Sequence, residues 1–329
     1  MSLRIIKAGV ADTIQDIGRY GWQYLGINPT GAMDRHAATI ANILAGNEQT
    51  TPVIEMHFPA STFLFQYPAL IALAGADFSA TLNGDVITSQ QPVIVNKNCI
   101  LQFHEPKKGA RAYLAINGGF EIPKWLNSYS THLKARAGGY VGRSLQKDDE
   151  ILLKEASVFS AKISGKEFFA LPWLADSEWG DTSADEVFFL PGNEWDWLTE
   201  ESKESFMQQE FVITPNSDRM GYRLSSGLLN SKVTEELVSS AVCYGTVQLL
   251  PDGRLILLMA DHQTTGGYPK VAHVITAHHS KLAQMRPGEK IRFRLTDHTT
   301  AETLLWKQQQ HLKLLKSACQ YRLNEFLNV

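Results

Sequence analysis

The alternation of apolar and polar positions along this chain changes period several times, and each change predicts an element. Leu3 to Lys7 reads as a short strand entering a polar loop, Asp12-Thr13-Ile14-Gln15-Asp16-Ile17-Gly18-Arg19. Asp34 precedes a stretch, Ala37 to Ala45, with helical periodicity, and Gly46 follows as a stop, so a helix N-capped by Asp34 is expected. Asn42 sits inside it among Ile40, Ala41, Ile43 and Leu44, which implies a buried partner for its amide. From Val53 to Leu153 short apolar runs alternate with Gly, Pro, Asn or Asp: Val53–Met56, Phe63–Phe65, Leu70–Ala74, Phe78–Leu82, Val93–Val95, Ile100–Phe103, Tyr113–Ile116 and Ile151–Leu153. Asn83-Gly84 is the strongest hairpin signal among them. Turns at intervals of about ten residues predict a sandwich or barrel instead of alternating β-α units.

Apolar periodicity fades over residues 155–185, so a junction is placed at 161–185, between a domain of residues 1–160 and a second of 186–329. The second restarts with Val187–Leu190 and a Pro191-Gly192 turn. Trp195 to Phe206 is expected to form one helix, Phe211–Ile213 a strand, and Lys290–Leu295 a half-exposed strand. Thr299 and Glu302 have capping-box spacing at the head of a final helix carrying Leu305, Leu312, Leu315, Cys319 and Leu323. The expected class is mainly β, two β-rich domains with a few helices, one of them C-terminal.

Two polar clusters stand out, Ser217-Asp218-Arg219-Met220-Gly221-Tyr222-Arg223-Leu224 and Asp261-His262-Gln263-Thr264-Thr265-Gly266-Gly267-Tyr268-Pro269. Between them a Pro251-Asp252-Gly253-Arg254 turn leads into a buried strand, Leu255–Ala260, with which Val271–Ile275 is expected to pair. That leaves a connection of about ten residues where a hairpin needs about two to five, a loop long enough to carry function. Arg219 and Arg223 offer paired donors for a carboxylate or phosphoryl oxygen. Asp261 is the candidate base, with Thr264, Thr265 and the Gly266-Gly267 amides holding developing oxyanion charge, beside Tyr268. The alternatives are a tight turn at the glycines and salt bridges at the arginines, with Asp218 as one partner. Asp12, Arg19, Asp34 and Glu55 are further candidates for substrate binding; a loop held by Asp–Arg hydrogen bonds explains Asp12 and Arg19 equally well, and mid-strand Glu55 is either on a wet face or placed for a purpose.

Composition narrows the class. Of 329 residues, 44% are hydrophobic and 20% charged, and a net charge of -3 gives no reason to expect nucleic acid or an anionic membrane as partner. The 3 cysteines lack metal spacing and fit reduced thiols. The 10 histidines show no ligand spacing, and His278-His279 would point opposite ways on a strand, so no metal is expected. Without an apolar leader at Met1–Arg4 or a run of about 18 apolar residues, the expected location is the cytoplasm.

The order of Gln15-Asp16-Ile17-Gly18-Arg19, Gly31-Ala32-Met33-Asp34, Ala41-Asn42, Gly46-Asn47, Tyr113-Leu114-Ala115, Gly118-Gly119, Ser130-Thr131 and Gly138-Gly139 resembles a known family over nearly the whole chain. The likeness is densest at Ser217–Leu224 and Asp261–Pro269 and ends with Ala283-Gln284 and Pro287-Gly288. The family is the allophanate hydrolase subunit 2 type, also described as the 5-oxoprolinase C-type subunit or as biotin-dependent carboxyltransferase-like, and it includes KipA-like regulators. The resemblance implies a cyclophilin-like β-barrel and a subunit of an ATP-dependent 5-oxoprolinase, hydrolysing 5-oxoproline to glutamate. It implies two partner proteins, a B-type one (like KipI or allophanate hydrolase subunit 1) and an A-type one. ATP is then expected in the complex, bound by this chain or a partner; no Walker-type phosphate loop is present here. Two alternatives follow from the same likeness: a KipA-like protein that antagonises an inhibitor protein, and a carboxyltransferase component of a urea carboxylase system, for which biotin would arrive from elsewhere. Lys147-Asp148-Asp149 departs from a common Gly-Asp, and Ala277-His278 from a usual alanine-aspartate.

Overall fold

A computed structural model describes residues 1–154, 165–176 and 186–327; most of the expected junction at 161–185 lies outside the described residues. The chain divides into two compact units that are not continuous in sequence: one of Met1–Gly18, Asp34–Trp179 and Gln310–Val329, the other of Arg19–Met33 and Gly180–Gln309.

The first unit contains β1 (Ser2–Lys7), β2 (Thr13–Gln15), α1 (Arg35–Leu44), β3 (Val53–His57), β4 (Thr62–Phe65), β5 (Ala69–Asp77), β6 (Ala80–Leu82), β7 (Asp85–Val86), β8 (Pro92–Val95), β9 (Ile100–Phe103), β10 (Lys108–Ile116), β11 (Glu150–Leu152) and β12 (Phe168–Ala170). They form two six-stranded antiparallel sheets, ordered β11-β1-β4-β9-β6-β7 and β12-β8-β5-β10-β3-β2. Side chains alternate across each strand, so Leu3, Ile5, Phe63, Phe65 and Leu101 from one sheet meet Ile54, Met56, Ile71, Leu73 and Leu114 from the other in a shared core. The opposite face of β5 and β8 is also apolar: Leu70 and Ile94 pack with Leu171 and Leu323, which is why these strands read as unbroken hydrophobic runs. The Asp34 carboxylate accepts from the Ala37 N–H at 2.9 Å, capping α1, and Asn42 Nδ2 donates to the Thr51 carbonyl at 2.8 Å, the buried partner its position requires. Asn83 and Gly84, both at positive φ, make the hairpin turn between β6 and β7.

The second unit carries β13 (Glu186–Pro191), α2 (Glu200–Gln208), β14 (Phe211–Ile213), β15 (Gly221–Ser225), β16 (Ser240–Ala241), β17 (Thr246–Leu249), β18 (Leu255–Leu258), β19 (Thr265–Gly266), β20 (Lys270–Val274), α3 (His279–Gln284), β21 (Lys290–Leu295) and α4 (His298–Leu327), the last continuing into residues grouped with the first unit. Seven strands close a barrel in the order β13-β20-β17-β18-β15-β14-β21. Its core is rich in aromatics, with Phe206 of α2 stacked on Phe293 at 4.6 Å and edge-on to Phe189 at 5.0 Å. Each such ring contributes about 1.5–3 kcal/mol on burial, and its aromatic contacts about 0.5–1.5 kcal/mol more.

Four local expectations are corrected. Leu255–Leu258 and Lys270–Val274 do not pair with each other; both pair with β17, one on each side, a strand whose alternating Thr246-Val247-Gln248-Leu249 escaped the sequence reading. The helix expected over Trp195–Phe206 is a 3-10 turn at Trp195–Trp197 and then α2, because Thr199 adopts extended backbone and caps Ser202. α4 is capped by Asp297, which accepts from the Thr300 N–H at 2.8 Å, not by Thr299. His278 and His279 lie in a 3-10 turn leading into α3, not on a strand. Among the described residues no helix is long and apolar enough to cross a membrane.

Candidate functional site

The two polar clusters meet within the barrel unit. Arg219 Nε and Nη2 donate to the two Asp261 carboxylate oxygens at 2.9 and 3.0 Å, and Nη2 also donates to the Gly31 carbonyl at 2.6 Å. Asn28 Nδ2 adds bonds to the Asp261 and His262 carbonyls at 2.8 and 2.7 Å. Both carboxylate oxygens of Asp261 are thus engaged by one guanidinium in a nearly dry setting. The salt-bridge alternative describes Arg219, with Asp261 as partner; Asp218 instead accepts from the Met220 N–H at 2.8 Å.

Arg223 is differently placed. On β15 it falls on the outer face of the barrel, with Tyr222 and Leu224 in the core, and its register partner on β18 is Ile256, whose partner on β17 is Gln248. Arg223, Ile256 and Gln248 therefore form one row across three strands. The segment after β18 folds back over the end of that row. Gln263 Nε2 reaches Gln248 Oε1 at 3.4 Å, and Gln248 Nε2 faces the Tyr268 carbonyl at 3.5 Å, long contacts that leave hydrogen-bonding capacity on both amides. These side chains, with the Tyr268 ring and Arg254, line a depression of about 440 Å³. Arg254 is held by Asp252 through its Nε at 2.8 Å, whereas the exposed Arg223 guanidinium has no ion-pair partner among the described residues.

The glycines serve packing. Thr265 and Gly266 form β19, paired with Ala241 and Ser240 of β16, and neither Gly266 nor Gly267 has a positive φ. A Cβ on Gly266 would lie 2.4 Å from Gln248 Nε2, so glycine is what lets the segment close over the amide. Thr264 gives its carbonyl to the Val242 N–H, and Thr265 is exposed. Arg19, 1% exposed, donates Nη1 to the Thr30 hydroxyl at 2.6 Å, anchoring the 19–33 segment within the barrel unit.

Asp12, Asp34 and Glu55 belong to the first unit and do not line this depression. The Tyr113 hydroxyl donates to Glu55 Oε2 at 2.8 Å and accepts from the Asp34 N–H at 2.8 Å. Burial first, then the Glu55 and Asp34 charges, push the Tyr113 phenol well above its ordinary range. Asp12 accepts from the main-chain N–H groups of Ser61 at 2.7 Å and His57 at 3.1 Å. Burial raises its carboxyl to about 6 against those hydrogen bonds, with Glu55 adding repulsion. On α1, burial and then the charge of His311, ring centroids 6.4 Å apart, lower His36 to about 4.

The sequence reading set Gln263 among a row of donors without choosing it as a site residue, and it missed Gln248 and Arg254. Gln248 had a signal: a polar residue at an outward position between core residues Val247 and Leu249, but only once that stretch is read as a strand.

Comparison with known proteins places this architecture. The chain is 35% identical over 304 residues to the 5-oxoprolinase C subunit of Haemophilus influenzae, covering 92% of this chain and 94% of that protein. It is 34% identical over 291 residues to the Escherichia coli protein of the same name, covering 88% and 90%. The crystal structure of the K. lactis urea amidolyase superposes with a TM-score of 0.86 at 26% identity, over 95% of this chain and 20% of that one. The family described as "Carboxyltransferase domain, subdomain A and B" matches residues 25–295, from the segment that anchors on Asp261 to the last strand of the barrel, and the chain belongs to that family.

Proposed function

We propose that this chain is a subunit of an ATP-dependent 5-oxoprolinase and that the depression on the outer barrel face holds 5-oxoproline. The observation that carries the reading is the row Arg223–Ile256–Gln248 with Gln263 above it: an unpaired exposed guanidinium and the loosely bonded, half-buried Gln263 amide beside one small depression, with the buried Gln248 amide supporting Gln263 from beneath. 5-Oxoproline has a carboxylate and a lactam. A guanidinium fork suits the carboxylate, and an amide can donate to the lactam C=O while accepting from its N–H. Ile256 supplies an apolar floor for the ring methylenes, and Tyr268, 45% exposed, a movable wall. The identity to relatives named as the C subunit of 5-oxoprolinase supports the same substrate.

In this reading Asp261 and Arg219 position the 261–268 segment instead of performing the chemistry, because each already satisfies the other. Arg219 does not fit a phosphoryl group for the same reason, so ATP is held elsewhere in the assembly and not by this arginine. Substrate orientation falls to Arg223 and Gln263, with the buried Gln248 positioning the Gln263 amide. The partners are a B-type and an A-type protein of the same assembly.

The test is ATP hydrolysis by the chain mixed with purified B-type and A-type partners, with and without 5-oxoproline. Stimulation by the lactam that Arg223→Ala abolishes supports the reading; a folded complex with no stimulation sinks it. The urea amidolyase and urea carboxylase likeness favours a second reading, a carboxyltransferase component. Its mark would be turnover that requires bicarbonate and a biotinylated carrier.

A further inference from the structure

A larger groove lies beside the depression in the same unit, and Tyr268 and Asp252 border both. It measures about 770 Å³, between residues 228–237 and the barrel end at Leu249–Gly253. Its apolar surfaces come from Trp197, Leu229 and Leu249, and Glu235 and Glu236 stand on its rim. Those two carboxylates are exposed and have no ion-pair partner among the described residues, whereas Asp252 across the groove is neutralised by Arg254. The wall that carries them belongs to no helix or strand, and the main-chain groups of residues 234–238 make no hydrogen bond among the described residues.

We propose that this groove docks an extended segment of a protein partner carrying a lysine or arginine next to an apolar residue. Three features select that occupant. The main-chain donors and acceptors of 234–238, unpaired among the described residues, suit the backbone of an added peptide segment. The unpaired acidic rim favours a cation and disfavours an acidic segment. Trp197 and Tyr268 offer aromatic surface to an aliphatic stem whose charged head reaches Glu235 and Glu236.

The experiment uses the full chain immobilised and three pools of acetylated, amidated hexapeptides, with Lys-Leu, Glu-Leu or Ser-Leu fixed at the centre and the other positions randomised. The expected result is retention of the Lys-Leu pool at least tenfold above the others, with a change in Trp197 emission that Trp197→Phe removes. Glu235→Gln with Glu236→Gln should weaken the retained peptides at least tenfold at unchanged melting temperature, and Arg223→Ala should leave them unaffected, which separates this site from the depression. Equal retention of the pools, retention of none, or the same weakening by Arg223→Ala overturns the proposal. So does a concentration-dependent dimer, seen by sedimentation, that the double glutamate variant abolishes, because the occupant would then be a second copy of the chain.

Discussion

Two arginines four residues apart should behave as opposites, and the contrast tests the division between scaffold and site. Arg219 gives two hydrogen bonds to Asp261 and one to the Gly31 carbonyl, and the two charged side chains are 12% and 10% exposed. Charge-assisted hydrogen bonds contribute about 1.5–3 kcal/mol each, and removing one partner of a buried ion pair costs about 3–5 kcal/mol because the other charge is stranded. The residual exposure lets water reach Asp261, so Arg219→Ala should destabilise by about 3 kcal/mol, at the low end of that range. Arg223→Ala, on the exposed outer face, should stay within about 0.5 kcal/mol. Replacing both members of the pair, Arg219→Met with Asp261→Leu, should recover most of the loss, since no charge is left unpaired. Urea titration followed by tryptophan fluorescence gives each value from the midpoint and slope. An Arg219→Ala variant as stable as the wild type, or an Arg223→Ala variant that is the less stable of the two, would refute the assignment.

Gly266→Ala should push against Gln248, lowering stability by about 1–3 kcal/mol and lactam affinity with it, read by thermal melting and calorimetric titration. The first unit should show opposed pH responses. Asp12, raised to about 6 from an unfolded value near 3.9, contributes stability complete below about pH 4 and lost as pH rises through about 6; Asp12→Asn should therefore gain on the wild type from pH 4 to 7 in urea midpoints. His36, lowered to about 4, favours the folded state above about pH 6.5 and loses that contribution as pH falls toward 4, a decline that His36→Gln should flatten. Asp34→Ala removes the α1 cap and should cost about 1 kcal/mol in the same assay.

Much of the fold is legible where local chemistry decides it. The Asp34 cap, the Gly46 stop, the Asn83-Gly84 turn and most strands of the sandwich follow from rules spanning a few residues. The barrel's pairing is not local: β17 separates β18 from β20 through contacts that sequence spacing cannot express. The different settings of the two arginines are hidden from the sequence for a related reason. Arg219 and Arg223 look equivalent in the chain, but one lies on the turn before β15, where it faces Asp261, and the other four residues on along the strand, where it faces solvent. Loop length singled out 261–270 on the strength of a hairpin that the barrel does not form, and the amide beneath it, Gln248, becomes visible only when that segment is laid over the barrel.

The grouping of residues 19–33 with the barrel and of 310–329 with the sandwich carries a consequence for biosynthesis. The acceptor that Gly31 offers Arg219 leaves the ribosome long before the barrel strands exist, and Leu323, which covers Leu70 and Ile94, emerges last. A fragment cut near residue 186 would separate Gly31 from Arg219 and Leu323 from Leu70 and Ile94, so each half would lose a piece of its own unit.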